Sequence, residues 1–290
     1  MSLTDDVRAT CREIAEAARH VRIDLERLEH LDPGSPPELD AERHYLEGPP
    51  EEVADYLLAL DSINFGSGWF PTLRKRAGMS GYFTVASSLA DFWRSSGGWS
   101  VDELRALSAG EVAAVLGQEP GHELMGLYAE ALRDLGRFLG RRRALDLVAE
   151  AGGSAERLAS MLAGGMPFFD DAGFWKRAQI AANDLALAGV ADFDDLDRLT
   201  IFADNLVPHA LRVDGVLVYE PALAARIDAG ELLPPGGEER EIRGCAVHAC
   251  ELLSARLGVP ARAIDTALWN KGQAARYKAV PRHRTRTVFY

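Results

Sequence analysis

The feature that most constrains this chain is the spacing of its apolar residues. They recur at intervals of three and four along nearly the whole length, cut into helix-sized pieces by glycine and proline. Val7, Cys11, Ile14, Ala18, Val21, Leu25 and Leu28 form one such stripe and predict a single amphipathic helix running to Leu28, capped by Ser2 and Asp5 or by Thr4. Pro33, Gly34, Pro36 and Pro37 make Leu31–Asp40 a loop. A second helix starts at Pro49-Pro50, carries Val53, Tyr56, Leu57, Leu60 and Ile63 on one side, and ends near Gly66-Ser67-Gly68. Further helices are expected over Ser80–Arg94, from the Ser108/Glu111 capping box to Gly117, over Glu123–Arg143, and from Ser154 to Gly164-Gly165. Others follow over Phe174–Ala188, over a segment opened by Asp195 or Thr200 that carries Phe202 to Arg212, over Glu238–Leu257 and over Arg262–Gln273. Only Val216–Tyr219 and Val288–Tyr290 read as strands. The expected fold class is therefore all-α, with at most one or two very short β elements.

With 290 residues, 47% of them hydrophobic, the chain buries a sizeable core. No internal repeat or long linker divides it, so residues 1–290 are expected to form one domain. Leu233–Gly237 is the weakest seam, and the variant form is two helical lobes with the active site between them. Cys11, Cys245 and Cys250 show no metal or disulfide spacing. The segment Met1–Leu28 has no continuous apolar core, and nothing approaches the roughly 20 apolar residues of a membrane span. A cytoplasmic protein without a membrane partner is expected.

The net charge of −12 is unevenly distributed. Lys271–Tyr290 holds six basic residues and no acid, which leaves −18 on the remainder. Such a body repels a nucleic-acid backbone. The basic tail either docks on acidic surface or forms a small anion site for one phosphate.

Common catalytic signatures are missing: GxGxxG after a strand, GxxxxGK[ST], HExxH, GxSxG and paired histidines at ligand spacing. Four segments stand out instead. Asp61–Pro71 sets polar and aromatic groups side by side at a helix end, where aromatic faces stack on a base and Asn64 reads its edge, or where a capped helix merely tucks its aromatics into the core. Ser80-Gly81-Tyr82 follows as a helix start that meets a polar ring or is a simple cap. In Phe174–Ile180, Lys176 and Arg177 open an apolar helix, as functional cations or as a solvated face. In Leu199–Pro208, Asp204 is expected within the first turns of a helix that Pro208 distorts. Asp204 then faces a substrate, pairs with Arg198, Arg212 or Arg243, or rests on the helix dipole. Last, Glu239, Glu241 and Arg243 read as a helix-surface ion network, and His283-Arg284-Thr285-Arg286 as a phosphate site or a docked tail.

Taken in order, SINFGSGWFP (62–71), SGYF (80–83), FWKRAQI (174–180), LTIFADNLVP (199–208), EIRGC (241–245), LW (268–269) and HRTRTVFY (283–290) resemble the queuosine salvage proteins, the queuosine 5′-phosphate N-glycosidase family. The resemblance implies a helical fold similar to the helix-hairpin-helix DNA glycosylases. It implies hydrolysis of the free nucleotide queuosine 5′-monophosphate to queuine and ribose 5-phosphate, with no metal, no cofactor and no stable nucleic-acid partner. On this resemblance the catalytic aspartate is Asp204. Phe65 and Phe202 are expected to sandwich the base, and Lys176, His283 and Arg284 to lie near the 5′-phosphate. Asn64, Ser80, Tyr82, Glu241 and Trp269 complete the expected substrate-binding set. Asp204 would stabilise an oxocarbenium-like ribosyl cation, activate water or attack the sugar, and the sequence leaves these three open. The 7-deazapurine lacks the N7 at which purines are protonated, and the sequence names no acid for the leaving group. Two other readings remain: a helix-hairpin-helix nucleic-acid glycosylase, and a non-enzymatic helical binding protein.

Overall fold

The computed structural model describes residues 2–34 and 39–290, so the part of the expected loop at 35–38 lies outside the described residues. In the described residues, fifteen α-helices, three single-turn 3-10 helices and one two-stranded sheet make up the regular structure. In chain order the α-helices and strands are α1 (Leu3–Ala17), β1 (Val21–Ile23), α2 (Leu25–Glu29), α3 (Pro50–Ser62), α4 (Gly81–Ser96), α5 (Val101–Ala106), α6 (Ala109–Leu116), α7 (Glu123–Leu139) and α8 (Ala144–Ala151). There follow α9 (Ala155–Gly165), α10 (Lys176–Leu187), α11 (Val207–Val213), β2 (Leu217–Tyr219), α12 (Pro221–Asp228), α13 (Glu238–Leu257), α14 (Ala261–Gly272) and α15 (Ala275–Lys278).

Local chemistry sets most of these boundaries. Ser2, Ser80, Ser108 and Ser154 each accept a hydrogen bond from the backbone of the first turn of α1, α4, α6 and α9, satisfying donors that the helix itself cannot. Gly97 ends α4 at φ +77°, a left-handed conformation that a Cβ would strain.

The buried apolar side chains form two clusters. The first gathers α3 to α10 around Tyr56, Leu57, Leu89, Tyr128 and Leu132. The second gathers α1, the sheet and α11 to α14 around Val7, Val216, Ile242 and Leu268. α10 packs against α9 and α3, α1 lies along α13, and α11 packs on α14.

The chain between α10 and α11 explains one failed expectation. No helix runs from Asp195 or Thr200 through Arg212. Residues 200–204 are extended, with Phe202 buried in the first cluster and Ile201 and Ala203 in the second. Alternate side chains thus serve opposite cores, which the period of an extended chain permits and that of a helix does not. The helix starts only at Val207. Pro208 stands in its first turn, where its missing N–H breaks no bond, so it distorts nothing. Asp195 instead accepts the Ala155 amide (2.6 Å) at the start of α9.

Three other boundaries moved. The first stripe is not one helix: Ala18 turns extended, Glu241 captures the Arg19 and His20 amides, and Val21–Ile23 pairs antiparallel with Leu217–Tyr219. The spacing persisted to Leu28 because Val21 and Leu28 still face the same core. The helix expected over Glu123–Arg143 ends at Leu139 with Gly140 as its cap, and Arg143 stands at the start of a separate helix, α8. Val288–Tyr290 is not a strand; the tail makes only a single bridge, Leu232 to Arg284.

Candidate active site

α10 lays one face along a cavity of about 410 Å³. Lys176, Ile180, Asp184 and Leu187, at helical spacing, form its floor. Asn64 and Phe65 beyond α3, with Tyr82 and Phe83 of α4, form one wall. Phe202, Asp204, Asn205 and Leu206, with Asp265 and Trp269 of α14, form the other. Arg282, Lys278 and Tyr290 border one rim; Asp40, Arg43 and His44 border another. The volume suits a small ligand.

Lys176 enters this cavity from an unusual backbone. Trp175 before it has φ +44°, the one positive φ outside glycine among the described residues, and strain of this kind persists only where the surroundings hold it. Lys176 and Arg177 then place two cations in the first turn of α10, against the helix dipole. Both are buried rather than solvated, at 4% and 1% exposure. The Lys176 Nζ donates to the Asn64 carbonyl (3.2 Å). Burial lowers its pKa, opposed by the charge of Asp204. Arg177 turns away from the cavity. It lies between the rings of Phe65 and Phe169, each 4.8 Å from its guanidinium carbon, and donates to the carbonyls of Ser62 (2.6 Å), Val288 (2.6 Å) and Phe168. One side chain thereby ties α3, the turn after α9 and the basic tail to α10.

Asp204 is half-buried at the end of the extended segment. Its Oδ1 accepts the backbone amides of Leu206 (2.7 Å) and Val207 (3.0 Å), which fixes the carboxylate and leaves Oδ2 outside both bonds. The arginines expected to pair with it are engaged elsewhere: Arg198 with Glu156 and Asp5, Arg212 with Asp228, and Arg243 with Asp171. Arg243 and Glu239 are buried, not a surface network. Arg243 stacks on Phe174 and donates to the Ala203 carbonyl (2.9 Å), so it supports the backbone just before Asp204.

Two further carboxyls border the cavity. Asp265 accepts the Phe202 amide (2.8 Å), and burial together with the charge of Asp204 pushes its pKa up to about 8. Burial pushes Asp184 up to about 7, against the Asn183 hydrogen bond and the charge of Lys176. Behind them, Asp61 is raised well above the carboxylate range by burial and by Asp184. Across the cavity, the Trp269 ring meets Tyr82 and Phe83 edge-on at 5.6 and 5.5 Å, and Tyr82 Oη lies 3.0 Å from His44 Nε2. Ser80 caps α4 by accepting the Phe83 amide (3.1 Å) at the cavity edge.

The structure therefore brings Asn64, Phe65, Ser80, Tyr82, Lys176, Phe202, Asp204 and Trp269 to one cavity. It places Glu241, His283 and Arg284 elsewhere. Glu241 holds the turn after α1. His283 is 1% exposed, with neither ring nitrogen partnered, and burial pushes its pKa down to about 3. Arg284 donates to the Gly230 carbonyl (2.7 Å). The basic tail docks on acidic surface in part. Lys271 and Arg276 pair with Asp214 and Arg286 with Glu123, whereas Lys278 and Arg282 border the cavity without a carboxylate partner among the described residues. The sequence reading missed Asp184, Asp265, Arg282 and Lys278. For Asp265 the signal was an acid inside the apolar stripe Ala261, Ile264, Leu268. Among the described residues, no cluster of three or more ligands fits a metal ion and no helix is long and apolar enough to cross a membrane.

Fold and site together define a helical protein with an aromatic- and carboxylate-lined cavity that a fixed aspartate borders. Residues 44–290 match the queuosine salvage protein profile, and the chain belongs to that family. It is 34% identical to the queuosine 5′-phosphate N-glycosylase/hydrolase of Sphaerobacter thermophilus over 98% of this chain and 97% of that one. Proteins of the same name in Nematostella vectensis and Dictyostelium discoideum are 27% and 40% identical, over 82% and 40% of both chains respectively.

Proposed function

We propose that this protein is an N-glycosidic hydrolase that cleaves queuosine 5′-monophosphate with water to queuine and ribose 5-phosphate, in queuine salvage. The observation that carries the reading is Asp204: a carboxylate fixed by two backbone amides, with no arginine salt bridge among the described residues, bordering a cavity of about 410 Å³. As the bond to the base breaks, positive charge grows at the anomeric carbon, and a carboxylate held in advance stabilises it without reorganising. The same group is placed to orient the attacking water or to attack the sugar, and the stereochemistry of the released sugar distinguishes the two routes.

Phe202 at the cavity wall suits the base, whereas the Phe65 ring is packed against Arg177, Tyr128 and Phe168 and supports that wall; Asn64 offers a polar group for the base edge. Asp265, protonated at neutral pH, is the group suited to give a proton to the departing 7-deazapurine, the acid that the sequence did not name. Arg282 and Lys278 suit the 5′-phosphate better than His283 and Arg284, which do not reach the cavity. The active site lies between two helical lobes of one domain. Water is the sole co-reactant, so the reading calls for no metal or cofactor. Three buried free thiols fit a reducing cytoplasm.

The test is a mass-spectrometric assay of queuosine 5′-monophosphate with wild type and Asp204→Asn. Queuine released by the wild type alone supports both the reaction and its carboxylate. Release by both proteins demotes Asp204, and release by neither rejects the function.

A further inference from the structure

Asp184 borders the cavity but has no part in the chemistry above. It follows Lys176 by eight residues, about 12 Å along α10 at the helical rise. The Lys176 ammonium is close enough to act on both Asp204 and Asp184, so a ligand with its sugar at Asp204 that extends along α10 meets Asp184 through a group that projects from its base. At 6% exposure, Asp184 has no cation within ion-pair distance among the described residues, and its one hydrogen bond comes from Asn183 Nδ2 (3.3 Å). Asn183 also borders the cavity, is 2% exposed, and its own Oδ1 has no donor. Behind stands Asp61, 1% exposed, with Oδ2 equally unpartnered. Each carboxyl has a single amide donor, from Asn183 to Asp184 and from Asn64 to Asp61, and acceptors so thinly supplied are costly to bury; a cation bearing N–H groups removes that cost.

We propose that this end of the cavity holds a protonated secondary amine carried on the base, and that Asp184 is the residue that selects for it. The inference rests on the substrate reading above and deepens it. Queuine bears on its 7-position an aminomethyl arm ending in a cyclopentenediol, and the arm's nitrogen is a secondary amine, cationic at neutral pH. A secondary ammonium has two N–H donors, and this end of the cavity offers the Asp184 carboxylate and the Asn183 Oδ1 as acceptors. A guanine nucleotide has no arm and leaves both unmet, so discrimination comes as much from what the wrong ligand fails to satisfy as from what the right one gains.

Calorimetric titration of the free bases tests this without requiring a bond to break. The three ligands are 7-deazaguanine, which has no arm; 7-aminomethyl-7-deazaguanine, which has the ammonium but no diol; and queuine. The expected result is that wild type binds both amines about tenfold or more tighter than 7-deazaguanine, and that Asp184→Asn loses that preference while binding 7-deazaguanine as before. Equal binding of all three by the wild type, a preference for queuine alone, or an equal loss for all three in the variant overturns the proposal. A second measurement needs only the wild type. Asp184 is faced by Asp61 from α3, Tyr82 from α4, Asp265 from α14 and Lys176 on its own helix. Because burial holds its carboxyl near 7, the preference for the amines rises as pH rises through that value; a preference unchanged between about pH 5.5 and 8 counts against it. A protein that binds the amines selectively but releases no queuine keeps this inference and loses the hydrolase reading. One that releases queuine but binds the three bases alike does the reverse.

Discussion

Asp204 and Asp265 are both cavity aspartates, and their surroundings give them different duties. Two amides hold Asp204 in place, whereas burial and a neighbouring negative charge keep a proton on Asp265 against the pull of its one amide bond. If Asp265 supplies the proton, kcat/KM falls as pH rises above about 8, and Asp265→Asn removes that alkaline limb along with most of the activity. Stability follows the same group. Its pKa is raised from the ordinary 3.8 to about 8, so between these values the folded protein keeps a proton that the unfolded chain has lost. Wild-type stability therefore declines as pH rises through that window, and the Tm advantage of Asp265→Asn over wild type is larger at pH 8 than at pH 5 in a melting experiment. For the phosphate end, Arg282→Ala should raise KM for the nucleotide about tenfold or more and leave cleavage of the nucleoside unchanged, while Arg284→Ala should alter neither by more than about twofold; steady-state kinetics on the two substrates checks this. Asp204 was legible because the residues around it carry a family pattern. Asp265 and Asp184 were not, because an acid within an apolar helix becomes informative only once its face is known to border a cavity. His283 and Arg284 misled for the converse reason: charge and residue type were visible, and direction was not.

Among the elements, α10 departs most from what its sequence would do alone. Two cations open it against its dipole, after a tryptophan in a left-handed conformation, and both are buried. Arg177→Met leaves the carbonyls of Ser62, Phe168 and Val288 without a donor at the point where three segments meet. A loss of about 3–5 kcal/mol in denaturant unfolding is expected, with queuine release falling in the fraction that stays folded. Gly68 gives a gentler probe: a Cβ there would stand 2.5 Å from the Thr285 carbonyl oxygen, so Gly68→Ala pushes the tail off its seat at a cost of about 1–3 kcal/mol. Helices whose ends are marked by serine caps and glycines were readable with boundaries good to a residue or two, as α4, α6 and α9 show. The segment from Thr200 to Leu206 was not, because its conformation comes from two cores that take alternate side chains. Nor was β1, whose helical spacing is overruled by Glu241 from a helix more than two hundred residues away.

Across the whole molecule, elements of both apolar clusters meet at the cavity. The chain carries −12, and within its basic tail Lys271, Arg276 and Arg286 are already paired. Binding to duplex DNA or to tRNA in a filter assay is expected to be absent at about 150 mM salt, and tight, salt-sensitive retention would favour a nucleic-acid glycosylase instead. Trp269 adds a consequence of another kind. Of the five tryptophans it is the one that borders the cavity, and it does so edge-on to Tyr82 and Phe83 from the opposite lobe. Indole emission depends on what lies against the ring, so the protein carries its own optical gauge at the door. A ligand taking its seat changes the colour or intensity of that light, and a stopped-flow trace can time its arrival apart from its breakdown, with no label attached.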